Sequence, residues 1–378
     1  MQEPPYTGVV RELSAEVPFV GPERLERERG RPFAARLGAN ESVFGPAPGV
    51  AAALTRAAVE SWRYGDPESF ELRAALAAAL AVPPENVLVG EGIDALLGYT
   101  VRLFVEPGCK VVTSRGAYPT FAFHVRGFGG ELVTVPYRDD HEDLDALLEA
   151  ARGDPAVRLV YLANPDNPMG SWWSADAVAA FADALPARCV LCLDEAYHEY
   201  APVGTSPPLG RLDARVVRFR TFSKAYGLAG LRVGYALGDA GLLASFHKIR
   251  NHFGVNRAAQ VAARAALGEP GHLAFVLERV AHARARIGAI ARANGLVALP
   301  SATNFVAVDT GGDGAFARRL LEALAARDIF LRMPGVAPLD RCIRIGTGTE
   351  ADLDLLAEAL PPALADVRAA ERTSGGSA

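Results

Sequence analysis

The run Arg220-Thr221-Phe222-Ser223-Lys224-Ala225-Tyr226-Gly227-Leu228-Ala229-Gly230-Leu231-Arg232 places an amine, a hydroxyl and two guanidiniums close together. The amine is the informative member. The chain has only three lysines, Lys110, Lys224 and Lys248, against thirty-six arginines. Where a cation alone is needed this sequence uses Arg, so a retained lysine marks a task a guanidinium cannot perform, above all imine formation with a carbonyl. Taken alone, Lys224 could equally be one surviving surface lysine in an Arg-biased chain. Its neighbours decide the matter, and Lys110 and Lys248 have none of comparable chemistry.

The elements that position Lys224 follow from an alternation of short apolar runs with Ala/Leu-rich helical stretches. The runs are Asn86-Val87-Leu88-Val89, Lys110-Val111-Val112-Thr113, Glu131-Leu132-Val133-Thr134-Val135, Arg158-Leu159-Val160-Tyr161-Leu162, Cys189 to Leu193 and Val216-Val217-Arg218-Phe219. Strands spaced by helices imply crossover connections and a mostly parallel sheet. In such a sheet ligands bind at the carboxyl ends of the strands, so the residues just past each run are the ones to read. They are Gly90-Glu91-Gly92-Ile93-Asp94, leading into Ala95-Leu96-Leu97-Gly98-Tyr99, then Asn164-Pro165-Asp166-Asn167-Pro168-Met169-Gly170, Asp194-Glu195-Ala196-Tyr197 and Ser223-Lys224. A tight glycine turn opening a helix binds anions through backbone N–H groups and the helix dipole. A dinucleotide fold would also need a third glycine and an acidic residue about twenty positions on, and neither is present. Singly, the second segment reads as a proline-rich turn and the third as a helix cap. Together they gather a carboxylate, phenols, an amide and an amine at one sheet edge.

An amine, a carboxylate and an anion cradle in one place match the needs of pyridoxal phosphate. A lysine forms the imine, a carboxylate keeps the ring nitrogen protonated, and the phosphate takes N–H donors, a hydroxyl and a cation. Asp194 fits the carboxylate role, Gly92 the turn, and Ser223 and Arg232 the hydroxyl and guanidinium, an Arg fork matching phosphate well.

The rest of the chain bounds this reading. At 378 residues, with half of them apolar, two domains with compact cores are expected. The spacing predicts an arm over 1–45, a large domain over 46–285, a small α/β domain over 286–370 and a disordered tail over 371–378. The arm is Pro-, Arg- and Glu-rich without clear periodicity. Long helices are expected over 241–299. The small domain would use strands Thr303 to Val308, Ile329 to Met333 and Cys342 to Gly346, with helices near 314–327 and 350–369. A net charge of −5 and a pI near 5.9 argue against nucleic-acid or anionic-membrane surfaces. No basic segment followed by an apolar run opens the chain, and no apolar stretch could span a bilayer, so a cytoplasmic protein is the expectation. Of Cys109, Cys189, Cys192 and Cys342, only Cys189-Val190-Leu191-Cys192 has motif-like spacing. It sits in a strand-like apolar run with no second pair or flanking His, so no metal site is expected.

The residues also carry a resemblance. Asn40-Glu41, Tyr64-Gly65-Asp66-Pro67, Asn164 to Gly170, Asp194-Glu195-Ala196-Tyr197, Ser223-Lys224 with Arg232, Asn304-Phe305 and Arg344-Ile345-Gly346 resemble the fold-type I, class I/II aminotransferases, most of all the histidinol-phosphate aminotransferases. The similarity runs from about residue 35 to about residue 360. It implies a ping-pong transfer of an amino group between an amino acid, or histidinol phosphate, and a 2-oxo acid such as 2-oxoglutarate. It implies Lys224 as the imine lysine and proton-moving base, Asp194 at the ring nitrogen, Asn167 and Tyr197 at the ring hydroxyl, and Tyr118 on the ring face. Gly92, Ile93, Asp94, Ser223 and Arg232 would hold the phosphate. Arg344 would fork onto the substrate α-carboxylate, with Arg332 toward its distal part and Asn40, Asn167 and Phe19 lining the substrate. A tyrosine matching Tyr64 serves the partner subunit's cofactor in that family, which implies a homodimer with shared sites.

Departures bear on the substrate. In Val17-Pro18-Phe19-Val20-Gly21-Pro22, Phe19 stands where histidinol-phosphate enzymes often carry a phosphate-contacting tyrosine. A missing hydroxyl weakens the case for a phosphorylated substrate, and an aromatic amino acid becomes an equal alternative. Asp166, Met169, Ser42-Val43 and Ala95 also depart from the usual pattern. A related branch with the same cofactor residues decarboxylates a phosphorylated amino acid. Aminotransferase-like domains also sense cofactor in transcription regulators, but those carry a basic DNA-binding module.

Overall fold

The computed structural model describes residues 4–15, 20–210 and 213–375. A seven-stranded sheet forms the large domain, built from β1 (Val87–Gly90), β2 (Lys110–Ser114), β3 (Glu131–Val135), β4 (Val157–Ala163), β5 (Val190–Asp194), β6 (Val216–Thr221) and β7 (Gly234–Leu237). Their order across the sheet is β1-β7-β6-β5-β4-β2-β3, with every neighbouring pair parallel except those of β7. The six strands expected from the apolar runs are all present. β7 was not among them. It is four residues long, all buried, and returns antiparallel between β6 and β1 directly after Arg232.

β4 and β5 are apolar almost without alternation because helices cover both sheet faces. The helix α1 (Ile93–Phe104) buries Ile93, Leu96, Leu97, Thr100 and Val101, a stripe at helical spacing. It packs against α2 (Pro119–Gly127), which opens with a proline where no N–H partner is needed. Both pack on one face of the sheet, and α1 begins in the glycine segment just past β1.

The long helices expected over 241–299 resolve into shorter pieces, with only α3 (Pro270–Ala293) exceeding eleven residues there. It leads out of the large domain. The small domain has an antiparallel sheet of β8 (Val297–Ala298), β9 (Phe305–Asp309) and β10 (Cys342–Gly346), backed by the final helix α4 (Glu350–Gly375). That helix takes in residues 371–375, where a disordered tail was expected, and 376–378 lie outside the described residues.

The first 45 residues are not irregular throughout. Pro22–Arg29 forms a helix with Pro22 at its start and Gly30 in the left-handed region at its end. The sequence ProGluArgLeuGluArgGluArg lacks an apolar stripe, so periodicity gave no signal. Ion pairs of Arg24 with Glu28 and of Arg36 with Glu23 and Glu26 tie it down instead. Ala35–Arg36 then pairs in parallel with Ile329–Phe330, which fastens the arm to the small domain.

Candidate active site

The site collects at the carboxyl ends of β4, β5 and β6. Asp194 ends β5, and its buried carboxylate accepts the Tyr161 hydroxyl on Oδ2 at 2.8 Å and the Ala196 N–H on Oδ1 at 2.9 Å. Burial pushes it up to about 6, against the pull of those two donors and of Lys224. Lys224 follows β6, and its Nζ donates to the Asn40 carbonyl at 3.1 Å. Burial and then the Arg344 guanidinium bring the amine down to about 8 from an ordinary 10.5. The Tyr197 ring lies 5.7 Å from Nζ, and its hydroxyl accepts from Asn40 Nδ2 at 3.1 Å.

Asn40 reaches this cluster because its φ of 56° turns the chain sharply. Its carbonyl also accepts from Asn304 Nδ2 at 3.0 Å, so the arm and the small domain meet at the amine. From β10, Arg344 Nη1 donates to Asn167 Oδ1 at 2.6 Å, with the guanidinium over the Phe305 ring at 5.1 Å. Its backbone N–H donates to the Arg332 carbonyl at 2.6 Å, and Arg332 Nη2 donates to the Val20 carbonyl at 2.6 Å. Burial and the Arg344 charge bring Arg332 down to about 10.

The anion cradle lies at the start of α1. Gly92 has φ 85°, and a Cβ there would stand 2.7 Å from Arg232 Nη2, so only glycine lets the guanidinium close over the turn. A Cβ on Gly234 would meet the Ile93 nitrogen at 3.2 Å. Ser223 N–H donates to Thr221 Oγ1 at 3.0 Å, which fixes the serine beside the turn. The Asp94 carboxylate meets His124 Nε2, 3.3 Å from Oδ1. Gly98 makes room for that His124 ring, since a Cβ would stand 2.9 Å from it. Tyr118 precedes α2 and lies among the charges of Asp94, Asp194 and Arg232.

The arrangement fits pyridoxal phosphate. It offers a depressed amine, a carboxylate held by two donors, and a glycine cradle under a guanidinium. Asn40 Oδ1, Asn304 Oδ1 and Arg344 Nε are buried around the amine without a hydrogen-bond partner. Among the described residues no cluster of His, Cys, Asp or Glu could hold a metal ion, and Cys189 and Cys192 are buried in the sheet.

One expected position is not brought to the cluster, and another cannot be placed. Tyr64 is 79 % exposed, its ring 4.8 Å from Phe253, and Phe19 lies outside the described residues. Several buried groups escaped the sequence reading. Tyr161 hid inside an aliphatic strand, where a lone phenol was the available signal. Glu195 takes Arg218 Nη2 at 2.7 Å and Arg220 Nε at 2.9 Å; two arginines on one face of a buried strand demanded such a partner. Glu142 accepts from Ser114 Oγ at 2.6 Å and Ala163 N–H at 2.8 Å, and Asp166 accepts from Tyr137 at 2.9 Å. Burial raises both acids, Asp166 to about 7.

Known proteins resemble the chain over nearly its whole length. The family model described as Aminotransferase class I and II matches residues 35–360. A histidinol-phosphate aminotransferase of Anaeromyxobacter sp. (strain Fw109-5) is 36 % identical, over 91 % of this chain and 94 % of that one. Histidinol-phosphate aminotransferase 2 of Ralstonia nicotianae is 38 % identical, over 89 % and 90 %. The crystal structure of histidinol-phosphate aminotransferase from Sinorhizobium meliloti in complex with pyridoxal-5'-phosphate superposes with a TM-score of 0.94 at 55 % identity, covering 97 % of this chain and 99 % of that one.

Proposed function

Because the chain belongs to the class I and II aminotransferases and is a pyridoxal-phosphate-dependent transaminase of fold-type I, we propose that it moves the amino group through Lys224, with histidinol phosphate and 2-oxoglutarate as its substrate pair. The observation that carries the residue assignment is the Lys224 amine itself, brought down to about 8 among Asp194, Arg232 and Arg344. When bound, the cofactor supplies an aldehyde that condenses with amines and a ring that spreads negative charge from the substrate carbon.

The chain's own groups do the rest. Gly92, Ile93 and Asp94 offer backbone N–H groups to the phosphate, with the Ser223 hydroxyl and Arg232 completing the cradle. Asp194 would hold a proton at the ring nitrogen, Asn167 and Tyr197 would bond the ring hydroxyl, and Tyr118 would stack on the ring face. Lys224 Nζ would take the proton from the substrate Cα and return it to the cofactor carbon on the far side of the shared nitrogen, a 1,3-shift. An amine near 8 is neutral often enough at neutral pH to act as that base. Arg344 binds the α-carboxylate with the fork that Asn167 partly occupies, and Asn40 lines the same cleft.

The names of the relatives support histidinol phosphate. Arg332, next to Arg344 across the strand pair, supports a substrate with a remote anion, which both the phosphate and the second carboxylate of 2-oxoglutarate provide. A panel of histidinol phosphate, phenylalanine, tyrosine and glutamate with 2-oxoglutarate tests the choice. Strong aromatic turnover with negligible histidinol-phosphate turnover would replace this pair by the aromatic alternative that Phe19 favours. Release of carbon dioxide without dependence on a 2-oxo acid would instead indicate the decarboxylase branch.

A homodimer is part of the same proposal. Val59, Trp62 and Tyr64 are 79 %, 81 % and 79 % exposed, an aromatic surface suited to a second copy of the chain. Tyr64 would then reach the partner's cofactor. Among the described residues no helix is long and apolar enough to cross a membrane, which is compatible with the cytoplasm as the working place.

A further inference from the structure

Tyr161 sits in β4, in register with Cys192 of β5 and two residues before the strand ends at Ala163. Its side chain is fully buried, and its ring stacks on Phe121 of α2 with centroids 4.5 Å apart and planes 23° apart. Packing alone would be served equally by phenylalanine. The hydroxyl needs a partner in such a place, and it has one in Asp194 Oδ2 at 2.8 Å.

Asp194 thus carries one donor on each oxygen, the phenol on Oδ2 and the Ala196 N–H on Oδ1. The donors fix the plane of the carboxylate while leaving lone pairs for a third. We propose that Tyr161 is a positioning residue for the transamination, holding Asp194 oriented and ionised so that the proton shared between Asp194 and the cofactor's ring nitrogen stays on the nitrogen. This rests on the reading of Asp194 as the ring-nitrogen partner. A buried carboxylate favours its neutral form, and each hydrogen bond donated to it restores the anion. Burial drives the phenol's own proton affinity well up, so beside Asp194, Glu142 and Tyr118 the hydroxyl donates and does not ionise. Without it the carboxylate becomes the stronger base, draws the proton off the ring nitrogen, and leaves the ring less able to take up charge.

The test is Tyr161→Phe, which keeps the stack and removes the donor. Enzyme loaded with cofactor labelled with ¹⁵N in its ring is read by NMR beside steady-state kinetics. The expected result is a ring-nitrogen shift moved toward unprotonated pyridine, with kcat down about tenfold, the scale of one lost hydrogen bond to a charged group, and KM nearly unchanged. Asp194→Asn serves as reference, and Phe121→Leu, which loosens the stack but keeps the hydroxyl, should leave the shift in place. If Asp194→Asn moves the shift and Tyr161→Phe does not, the role of Tyr161 is overturned alone. Should neither variant move it, the reading of Asp194 falls too. An equal shift in Phe121→Leu would assign the effect to packing and overturn the proposal.

Discussion

At the scale of single residues, the proposed chemistry rests on a lysine that burial makes easier to deprotonate than usual. Condensation needs the neutral amine, so the rate at which apoprotein captures pyridoxal phosphate should rise with pH and level off above about 8, not near the ordinary 10.5. Stopped-flow absorbance across pH 6 to 10 would measure it (about that span, by the titration range of such an amine). Arg344→Lys keeps a charge but loses the fork, so KM for both substrates should rise by about 10- to 100-fold, the worth of one or two charge-assisted hydrogen bonds. Lys224, Asp194 and Arg232 could be singled out as candidates because each is a polar residue at a strand end or in a motif. Tyr161 and Glu142 were not, since strand periodicity cannot tell which buried side chain touches which, and Asp194 was read as a functional carboxylate without the donors that tune it.

At the scale of elements, two devices hold the site. The turn into α1 depends on Gly92, where φ is 85° and Arg232 closes overhead. Gly92→Ala should weaken cofactor binding by about tenfold or more through the strained backbone and displaced guanidinium, read as a raised Kd for pyridoxal phosphate with the fold retained by circular dichroism. Behind Asp194, Glu195 joins the end of β5 to Arg218 and Arg220 of β6. Burial opposes its ionisation, but Arg220 and Arg218 outweigh that and hold the carboxyl at about 2 against an ordinary 4.5. A depressed carboxyl stabilises the fold above its ordinary value, and that contribution is lost as pH falls from about 4.5 through about 2. Glu195→Gln should therefore cost about 3–5 kcal/mol at neutral pH by leaving buried guanidiniums unpaired, seen as a lower denaturation midpoint. The parallel strands could be read from their apolar runs. β7 could not, because four residues between a glycine-rich loop and the next helix carry too short a pattern, and the Pro22–Arg29 helix is held by ion pairs that no periodicity reveals.

At the scale of the whole molecule, the resemblance seen over residues 35 to 360 and the family match over the same span agree because the motifs follow β4, β5 and β6 of the large sheet and recur in β9 and β10 of the small one. How two copies would meet in the proposed homodimer was not legible, since a single sequence does not say which exposed aromatics a second copy would cover. Trp62→Asp should shift sedimentation from dimer to monomer and weaken cofactor retention, because Tyr64 would no longer serve a neighbour's site. The central claim, that amino transfer runs through Lys224, has an unusually clean test because the chain offers only three lysines. Borohydride reduction of the pyridoxal-phosphate-loaded protein, followed by peptide mass spectrometry, should place the phosphopyridoxyl group on Lys224 and leave Lys110 and Lys248 unmodified. Modification of either of those two with Lys224 untouched, or no stable adduct at all, would contradict the account.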